Sequence, residues 1–319
     1  MADAPMFWSP EFEIDRRPDG TVLMRQTGAL PEHAPVLPDY LDLWAERAPD
    51  RTWMARRQDG GDWRRISYAE ARDAARRIGA GLLTLGLGPD RPLLILSEAS
   101  LEHALIALGA TWAGVPFAPV APAYSLVSQD HAKLRGVVET LRPGAVFADD
   151  GDAFAAALAA IAAPDLSVIT DRNHPAGATP LADLSAADPA GSDAARAGLT
   201  RGTVLKYLFT SGSTGAPKAV INTHGMVTAN QAMVRDCWRF LDRRPPVVLE
   251  WAPWNHTAAG NKTQYMALTN GGTFHIDDGR PAPGRFAETL RNLREVPVTW
   301  YWNVPLGHDL LVQALEADE

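Results

Sequence analysis

Residues 210–218 are the part of this chain whose residue types are best suited to bind a phosphorylated ligand. They read Thr-Ser-Gly-Ser-Thr-Gly-Ala-Pro-Lys and place hydroxyls and backbone N–H groups on one short turn. Glycine lets the backbone approach a ligand closely because no Cβ stands in the way. A group of N–H donors, hydroxyls and one ammonium suits a polyphosphate. We therefore predict a phosphate-binding loop, with its charge from Lys218 and its other donors from Thr210, Ser211, Gly212, Ser213, Thr214 and Gly215.

A flexible Ser/Gly linker or an ordinary hairpin tip would have a similar composition. The phosphate loop is favoured because strongly apolar segments, 203–209 and 218–222, flank it closely. Lys218 is also one of only four lysines among 30 basic residues. The Walker A pattern does not fit, because Pro217 rather than glycine stands five places after Gly212 and a strand follows. A P-loop kinase or GTPase is therefore disfavoured.

The elements that must position this loop alternate between strands and helices. Residues 92–97 form a continuous apolar run, which is typical of a strand buried on both faces of a parallel sheet. Beyond it the pattern predicts helices at 100–112, 133–141 and 153–163, and strands at 115–120, 145–148 and 166–170. This alternation predicts an α/β fold of right-handed βαβ units, with parallel-rich layered sheets and flanking helices.

Hairpins are predicted before this region, over 12–25 and over 53–66, and Ser67 with Glu70 forms a capping box for a helix to about residue 85. After the loop, helices are predicted at 224–240, 257–269, 285–294 and 307–317, and strands at 247–252, 273–276 and 298–304. Residues 171–198 are rich in Pro, Gly, Ala, Ser and Asp. We interpret them as a linker or irregular crossover between a first subdomain, 1–170, and a second, 199–319.

Several motifs together resemble the adenylate-forming superfamily, which includes acyl-CoA synthetases, luciferases and peptide-synthetase adenylation domains. Residues 207–218, Tyr-Leu-Phe-Thr-Ser-Gly-Ser-Thr-Gly-Ala-Pro-Lys, are similar to its phosphate-binding signature. The segments 250–261, with Pro-Trp-Asn-His-Thr, 270–277 and 302–305 most resemble feruloyl-CoA synthases. The segment 94–120 also fits, so the resemblance covers nearly the whole chain. It implies the fold of the large N-terminal domain of these enzymes.

The resemblance implies ATP-dependent activation of a carboxylic acid, such as the hydroxycinnamate ferulate. The carboxylate would attack the α-phosphate to give an acyl-adenylate and pyrophosphate, and the thiol of coenzyme A would then displace AMP. The loop would hold the β- and γ-phosphates, with Lys218 in an electrostatic role, and Thr210 would bind Mg²⁺. ATP, Mg²⁺ and CoA are therefore the implied cofactors and co-substrates.

The same resemblance implies that His256 is a wall or gate of the acid pocket rather than a general base. A lone histidine is more often a core residue, but His256 follows a strand end, where α/β proteins bind ligands. Trp254, Asn255 and Asn303 are the other predicted pocket residues. Core packing is the favoured alternative for most of the tryptophans at 251, 254, 300 and 302.

Three further polar groups are given structural interpretations. His224 is predicted to cap or pack a helix start, and it shows no metal spacing with other histidines. Asp277 and Asp278 are predicted to form a solvated turn, although paired carboxylates can bind Mg²⁺. Cys237 is predicted to be a buried hydrophobic residue rather than a nucleophile.

The superfamily also carries a Tyr-Gly-x-Thr-Glu segment with a Mg²⁺-binding Glu, a ribose-binding Asp, a hinge and a lysine in a small C-terminal domain. None of these is found in the 319 residues. The resemblance therefore implies the first part of an acid–CoA ligase that does not complete thioester formation alone. The alternatives are a noncatalytic nucleotide-binding remnant or scaffold, and an adenylation enzyme with a different acceptor.

Composition narrows the class of protein further. The net charge of −8 argues against a nucleic-acid groove, and one cysteine excludes an internal disulfide framework. No secretory signal is visible, and no apolar run approaches the ~20 residues of a membrane helix. We expect a soluble, cytoplasmic protein with no nucleic-acid or membrane partner, and the use of arginine over lysine indicates a GC-rich bacterial gene. The sequence does not indicate an oligomeric state.

Overall fold

A computed structural model describes residues 6–211 and 217–317 of the chain. The strands are β1 (Phe12–Arg16), β2 (Val22–Gln26), β3 (Thr52–Arg57), β4 (Trp63–Ser67), β5 (Leu93–Leu96), β6 (Phe117–Pro119), β7 (Ala145–Asp150), β8 (Ser167–Arg172), β9 (Thr179–Pro180), β10 (Val204–Ser211), β11 (Pro217–Thr223), β12 (Val247–Glu250), β13 (Thr273–Ile276) and β14 (Trp300–Tyr301).

The α-helices are α1 (Leu37–Arg47), α2 (Tyr68–Thr84), α3 (Leu101–Ala113), α4 (Ala123–Leu126), α5 (Ala132–Leu141), α6 (Ala155–Ala160), α7 (Leu181–Ser185), α8 (Ala190–Ala197), α9 (His224–Cys237), α10 (Gln264–Thr269), α11 (Phe286–Glu295) and α12 (Pro305–Ala317). Arg239–Asp242 is a 3₁₀ helix and Ala258–Thr263 is a π-helix. The predicted helix over 257–269 therefore begins with a π-helical turn before it continues as α10.

The larger sheet has seven strands in the order β11-β10-β6-β5-β7-β8-β9. All neighbouring pairs are parallel except β10 and β11, which are antiparallel. All four residues of β5 are buried, which accounts for its unbroken apolar sequence. The predicted strand–helix alternation and the parallel-rich α/β fold are confirmed.

The smaller sheet has five strands in the order β14-β12-β13-β3-β4. Its pairs are parallel except for the predicted hairpin of β3 and β4. The last strand is shorter than the sequence predicts, since only Trp300–Tyr301 of the range 298–304 pairs in the sheet. Both sheets contain strands from before and after residues 171–198, so the sheets do not follow the predicted division into 1–170 and 199–319.

Helices α2 and α3 belong to one hydrophobic core together with the inward faces of both sheets. The capping box predicted at Ser67 and Glu70 begins α2, and Ser100 caps α3 by accepting from the His103 N–H. The helices approach closely at a glycine: a Cβ added to Gly109 would lie 2.6 Å from Cγ2 of Ile78. The opposite face of the seven-stranded sheet packs on α5 and α6.

The segment 171–198, expected to be a linker or irregular crossover, contains β9, α7 and α8. Both helices pack against α2. A Cβ at Gly81 would lie 2.8 Å from the Leu184 Cα, and the Ser192 hydroxyl donates to the Arg76 carbonyl over 2.6 Å. These helices have only 5 and 8 residues, and isolated helices of that length are unstable in water. Tertiary packing rather than local propensity therefore orders this segment.

The first hairpin, β1 and β2, forms as predicted, with Phe12 paired to Gln26 and Arg16 to Val22. All ten of its residues are exposed. Among the helices in the described part of the chain, none has both the length and the apolarity required to cross a membrane.

Candidate active site

The phosphate-loop motif lies on the hairpin of β10 and β11. Thr210 pairs with Lys218 and Ser211 pairs with Pro217, so the motif joins two antiparallel strands. The prediction that a strand follows the motif is confirmed. Thr210 and Lys218 are exposed and face each other across the two strands. Gly212, Ser213, Thr214 and Gly215 lie outside the described residues, so their predicted contacts with phosphate stay predictions.

A cavity of about 230 Å³ lies where strands of both sheets end. Carboxyl ends of parallel strands are the usual place for ligand binding in α/β proteins. The cavity is lined by residues at or after the ends of β5, β6, β12 and β13, namely Ser97, Glu98, Ala99, His103, Pro119, Val120, Pro122, Trp251, Pro253, Trp254, Asn255 and Arg280. Two of the predicted acid-pocket residues, Trp254 and Asn255, are therefore on its wall.

Trp254 serves both the cavity and the core. Its ring is only 4% exposed and makes edge contacts with His103, 4.9 Å between centroids, and with Phe274, 6.1 Å. Trp254 thus packs in the core and also lines the cavity, and its predicted role in binding an acid stays a prediction. Burial lowers the pKa of His103 to about 4, so its imidazole is uncharged at neutral pH.

His256 and Asn303 are not among the residues that line this cavity, although each adjoins one that does. The His256 side chain is exposed, and its carbonyl accepts from the Gly260 N–H over 2.7 Å. Asn303 is buried, accepts from the Trp251 indole N–H at 3.1 Å and donates to the Tyr301 hydroxyl at 2.5 Å. Asn303 therefore holds Trp251, which itself borders the cavity.

A second, polar cavity of about 560 Å³ adjoins the first, because Glu98, Ala99, Trp251 and Arg280 border both. Asp277 and Asp278, predicted as a solvated turn, lie here, and the prediction is wrong for Asp277. Its carboxylate is buried and accepts from the Gly279 N–H, the Thr289 hydroxyl and the Asn292 amide. Burial raises the pKa of Asp277, and Asp278 pairs with Arg56 at 2.9 Å.

The sequence analysis did not single out two buried charged residues, Lys206 and Glu250. Lys206 is 1% exposed on β10, and Glu250 is 2% exposed at the end of β12. Neither carboxylate oxygen of Glu250 has a hydrogen-bond partner among the described residues, and burial raises its pKa to about 8. A charged residue inside an otherwise apolar strand was the signal available in the sequence, since such residues are almost never buried without a partner.

His224 is buried in the core, whereas Cys237 is only partly buried. Thr223 caps α9 by accepting from the Met226 N–H, while His224 packs in the core and its Nδ1 accepts from the Leu37 N–H at 3.2 Å. The packing role predicted for His224 is confirmed, and burial lowers its pKa to about 4. Cys237, the last residue of α9, is only partly buried.

No group of three or more His, Cys, Asp or Glu side chains in the described ranges could hold a metal ion. Within the motif, the described Thr210 offers a hydroxyl oxygen, exposed on β10 opposite Lys218. A hydroxyl oxygen suits Mg²⁺ where phosphate is also bound, because Mg²⁺ keeps several waters and binds through few protein ligands plus phosphate oxygens. The described residues are therefore compatible with a magnesium–nucleotide complex at this hairpin.

The chain belongs to the AMP-binding enzyme family, whose model matches residues 41–319. This membership confirms the resemblance to adenylate-forming enzymes. A phosphinothricin tripeptide synthetase, PhsB, from Streptomyces viridochromogenes is 29% identical over 198 residues, 61% of this chain and 14% of PhsB. 4-Coumarate–CoA ligase 2 from Oryza sativa is 28% identical over 215 residues, 65% of this chain and 37% of the ligase.

Solved structures show the same fold. The structure of McyG A-PCP complexed with phenylalanyl-adenylate matches with a TM-score of 0.68 at 19% identity. The match covers 91% of this chain and 44% of McyG A-PCP. The chain thus spans less than half of PhsB, the rice ligase and McyG A-PCP, and its relatives include both CoA ligases and peptide synthetases.

Proposed function

We propose that this chain carries the acid-activating part of an ATP-dependent carboxylic acid–CoA ligase similar to feruloyl-CoA synthase. The observation that carries the proposal is the β10–β11 hairpin, which brings Thr210 and Lys218 to opposite sides of the Ser/Gly-rich turn. Family membership supports adenylate formation from ATP and a carboxylic acid.

In the proposed reaction the carboxylate attacks the α-phosphate and pyrophosphate leaves. The Lys218 ammonium and the donors of residues 210–215 stabilise the charge that develops on the leaving pyrophosphate. The Thr210 hydroxyl would hold Mg²⁺, which would supply further charge neutralisation on the phosphates. Lys218 thus acts by electrostatics and positioning, without a covalent step. The thiol of CoA then displaces AMP from the acyl-adenylate.

For the acid we propose an aromatic compound of the hydroxycinnamate class. The cavity wall includes two indole rings, Trp251 and Trp254, and the neutral imidazole of His103. Flat aromatic side chains suit an aromatic ligand, since ring pairs contribute about 0.5–1.5 kcal/mol beyond burial. The similarity to a 4-coumarate–CoA ligase supports the same class. Asn255 and the exposed His256 would contact the acid at the mouth of the cavity, and Asn303 would act on it through Trp251.

A second candidate is an adenylation enzyme that passes its acyl group to an acceptor other than CoA. The similarity to a peptide synthetase and the fold shared with a phenylalanyl-adenylate complex favour this candidate. Both candidates share the first half-reaction, so they differ only in the acceptor of the acyl group.

Isotope exchange between ATP and pyrophosphate on a panel of aromatic, aliphatic and amino acids tests the first half-reaction. Lys218→Ala should lower the exchange rate by on the order of 10²-fold, as for loss of one charge-stabilising donor, and should weaken ATP binding in calorimetry. Arg77→Ala is the matched control, because it removes one partly exposed positive charge from α2, paired there with Asp73, and should change neither quantity. Retention of full exchange and ATP affinity in Lys218→Ala would falsify the role given to this loop. Consumption of the free CoA thiol, compared with consumption of other acceptors, then separates the two candidates.

A further inference from the structure

Lys206 is a fully buried lysine that sits four residues before Thr210 on the same strand. Its side chain is 1% exposed, and no Asp or Glu of the described residues pairs with it. A buried ammonium without a carboxylate is costly, so its remaining contacts must have a structural or functional reason.

The Lys206 ammonium reaches across to the π-helix. Its Nζ donates to the Gly260 carbonyl over 2.5 Å and lies 3.4 Å from the Tyr265 hydroxyl. The same atom stands 4.6 Å from the centre of the Tyr265 ring and 5.7 Å from that of Phe117. These cation–π contacts replace part of the hydration that burial removes.

Gly260 is in turn pressed against the segment that carries the predicted acid-pocket residues. A Cβ on Gly260 would lie 2.1 Å from the carbonyl oxygen of Trp254, so only glycine fits there without movement. The Gly260 N–H donates to the His256 carbonyl over 2.7 Å. The Gly260 backbone thus contacts Lys206 through its carbonyl and residues 254–256 through its N–H and Cα.

We propose that Lys206 is a positioning residue which ties the wall of the acid pocket to the strand that carries the phosphate loop. Through Gly260 it fixes residues 254–256 relative to Thr210 and therefore governs affinity for the carboxylic acid more than affinity for ATP. This proposal rests on the proposed function of the two sites. π-Helical turns are frequent at functional sites, and here the turn is the part that Lys206 holds.

The protonation of Lys206 gives this contact a pH dependence. Burial lowers the pKa of Lys206 to about 7, and the groups that face it are His103 from α3, Tyr265 from α10 and the Gly260 carbonyl. His103 is uncharged at neutral pH and burial raises the pKa of Tyr265, so neither supplies a compensating charge. A hydrogen bond from the charged ammonium is roughly twice as strong as one from the neutral amine. Affinity for the acid should therefore decline as the pH rises through about 7.

The test compares Lys206→Met with Lys262→Met. Methionine is similar to lysine in side-chain length and apolar stem but cannot donate a hydrogen bond to the Gly260 carbonyl. Lys262 is in the same π-helix and stands over Trp238 without bonding Gly260. In Lys206→Met we expect the KM for the acid to rise on the order of tenfold and to lose its pH dependence, with the KM for ATP within about twofold of the original. Lys262→Met should keep the original acid KM and its pH profile.

Hydrogen exchange of the peptide covering 254–264 gives a readout that does not depend on activity. Lys206→Met should exchange faster there, while peptides of β7 and β8 stay unchanged. In the unaltered protein the exchange rate of the same peptide, corrected for intrinsic rates, should rise above about pH 7. This measurement needs no variant, so it tests the proposal even where Lys206→Met fails to fold. Unchanged exchange at 254–264, or an equal rise in both KM values, overturns the proposal. An unaltered protein that activates no acid contradicts the proposed function, while the exchange experiment still decides whether Lys206 fixes this segment.

Discussion

At the scale of single residues, Trp254 joins three tasks in one side chain. It fills core space beside Phe274, forms an edge contact with His103 and lines the 230 Å³ cavity. Because the ring both packs in the core and lines the cavity, its removal should change the free energy of unfolding and the preference among acids together.

Trp254→Ala should lower the free energy of unfolding by about 3–5 kcal/mol, the usual cost of emptying a buried aromatic site. It should also shift the preferred acids of the exchange panel toward bulkier compounds, because the cavity becomes larger. Trp53→Ala is the matched control: Trp53 is 2% exposed but does not line this cavity. The control should lose similar stability in urea denaturation and keep the original order of acids. The same shift of acids in both variants would contradict the pocket role.

The sequence predicted some residue positions and missed others for a clear reason. The pairing of Thr210 with Lys218 was within reach, since both flank a turn between two apolar strands. The burial of Asp277 could not be predicted, because its partners Thr289 and Asn292 lie 12 and 15 residues further along the chain. Only the packing of α11 against the end of β13 brings those donors to the carboxylate. Lys206 was missed because its acceptor, Gly260, lies 54 residues away.

At the scale of elements, the π-helix Ala258–Thr263 depends on a close backbone approach. Gly260→Ala should lower the free energy of unfolding by about 1–3 kcal/mol, because its new methyl group would overlap the Trp254 carbonyl and force the turn to move. Gly191→Ala in α8 is the control, since a Cβ there meets nothing within 4 Å. The control should be neutral or stabilising by up to about 1 kcal/mol in a helix. Equal effects of the two substitutions in urea denaturation would speak against a tight contact at Gly260.

Elements with strong local signals were predicted well. The apolar run of β5 and the capping box of α2 are both local properties of the chain, and both are confirmed. The helices α7 and α8 were missed because they are short and are ordered by contact with α2. The sequence therefore predicts elements whose information is local, and it misses those that exist only through a distant neighbour.

At the scale of the whole molecule, buried ionisable groups make stability depend on pH. Burial raises the pKa of Glu250 to about 8, so between about pH 4.5 and pH 8 the folded state binds more protons than the unfolded state. Stability contributed by this site should then fall as the pH rises across that window. Burial lowers the pKa of His103, His224 and His275 to about 4. The stability contributed by these imidazoles should therefore rise as the pH rises from about 4 to about 6.5.

Glu250→Gln removes the titrating group and keeps its volume. The variant should gain stability relative to the original protein as the pH rises from about 5 to about 8, with the largest difference at the upper end. Urea denaturation at a series of pH values measures this difference. Glu139→Gln on α5 is the control, since its exposed side chain should leave the pH dependence unchanged. A constant difference across the series would show that Glu250 titrates normally.

Each sheet pairs strands that are far apart in the sequence, and this affects folding during synthesis. During synthesis β3 and β4 emerge early, yet β3 has to wait for β13, more than two hundred residues later, before its other edge is paired. Likewise β6 waits for β10. Long-range pairing of this kind slows folding and leaves strand edges open to other chains. During synthesis the nascent chain therefore exposes unpaired strand edges for a long interval, and a chaperone could bind them. A cut within 171–198 should yield two halves that recover structure only when mixed.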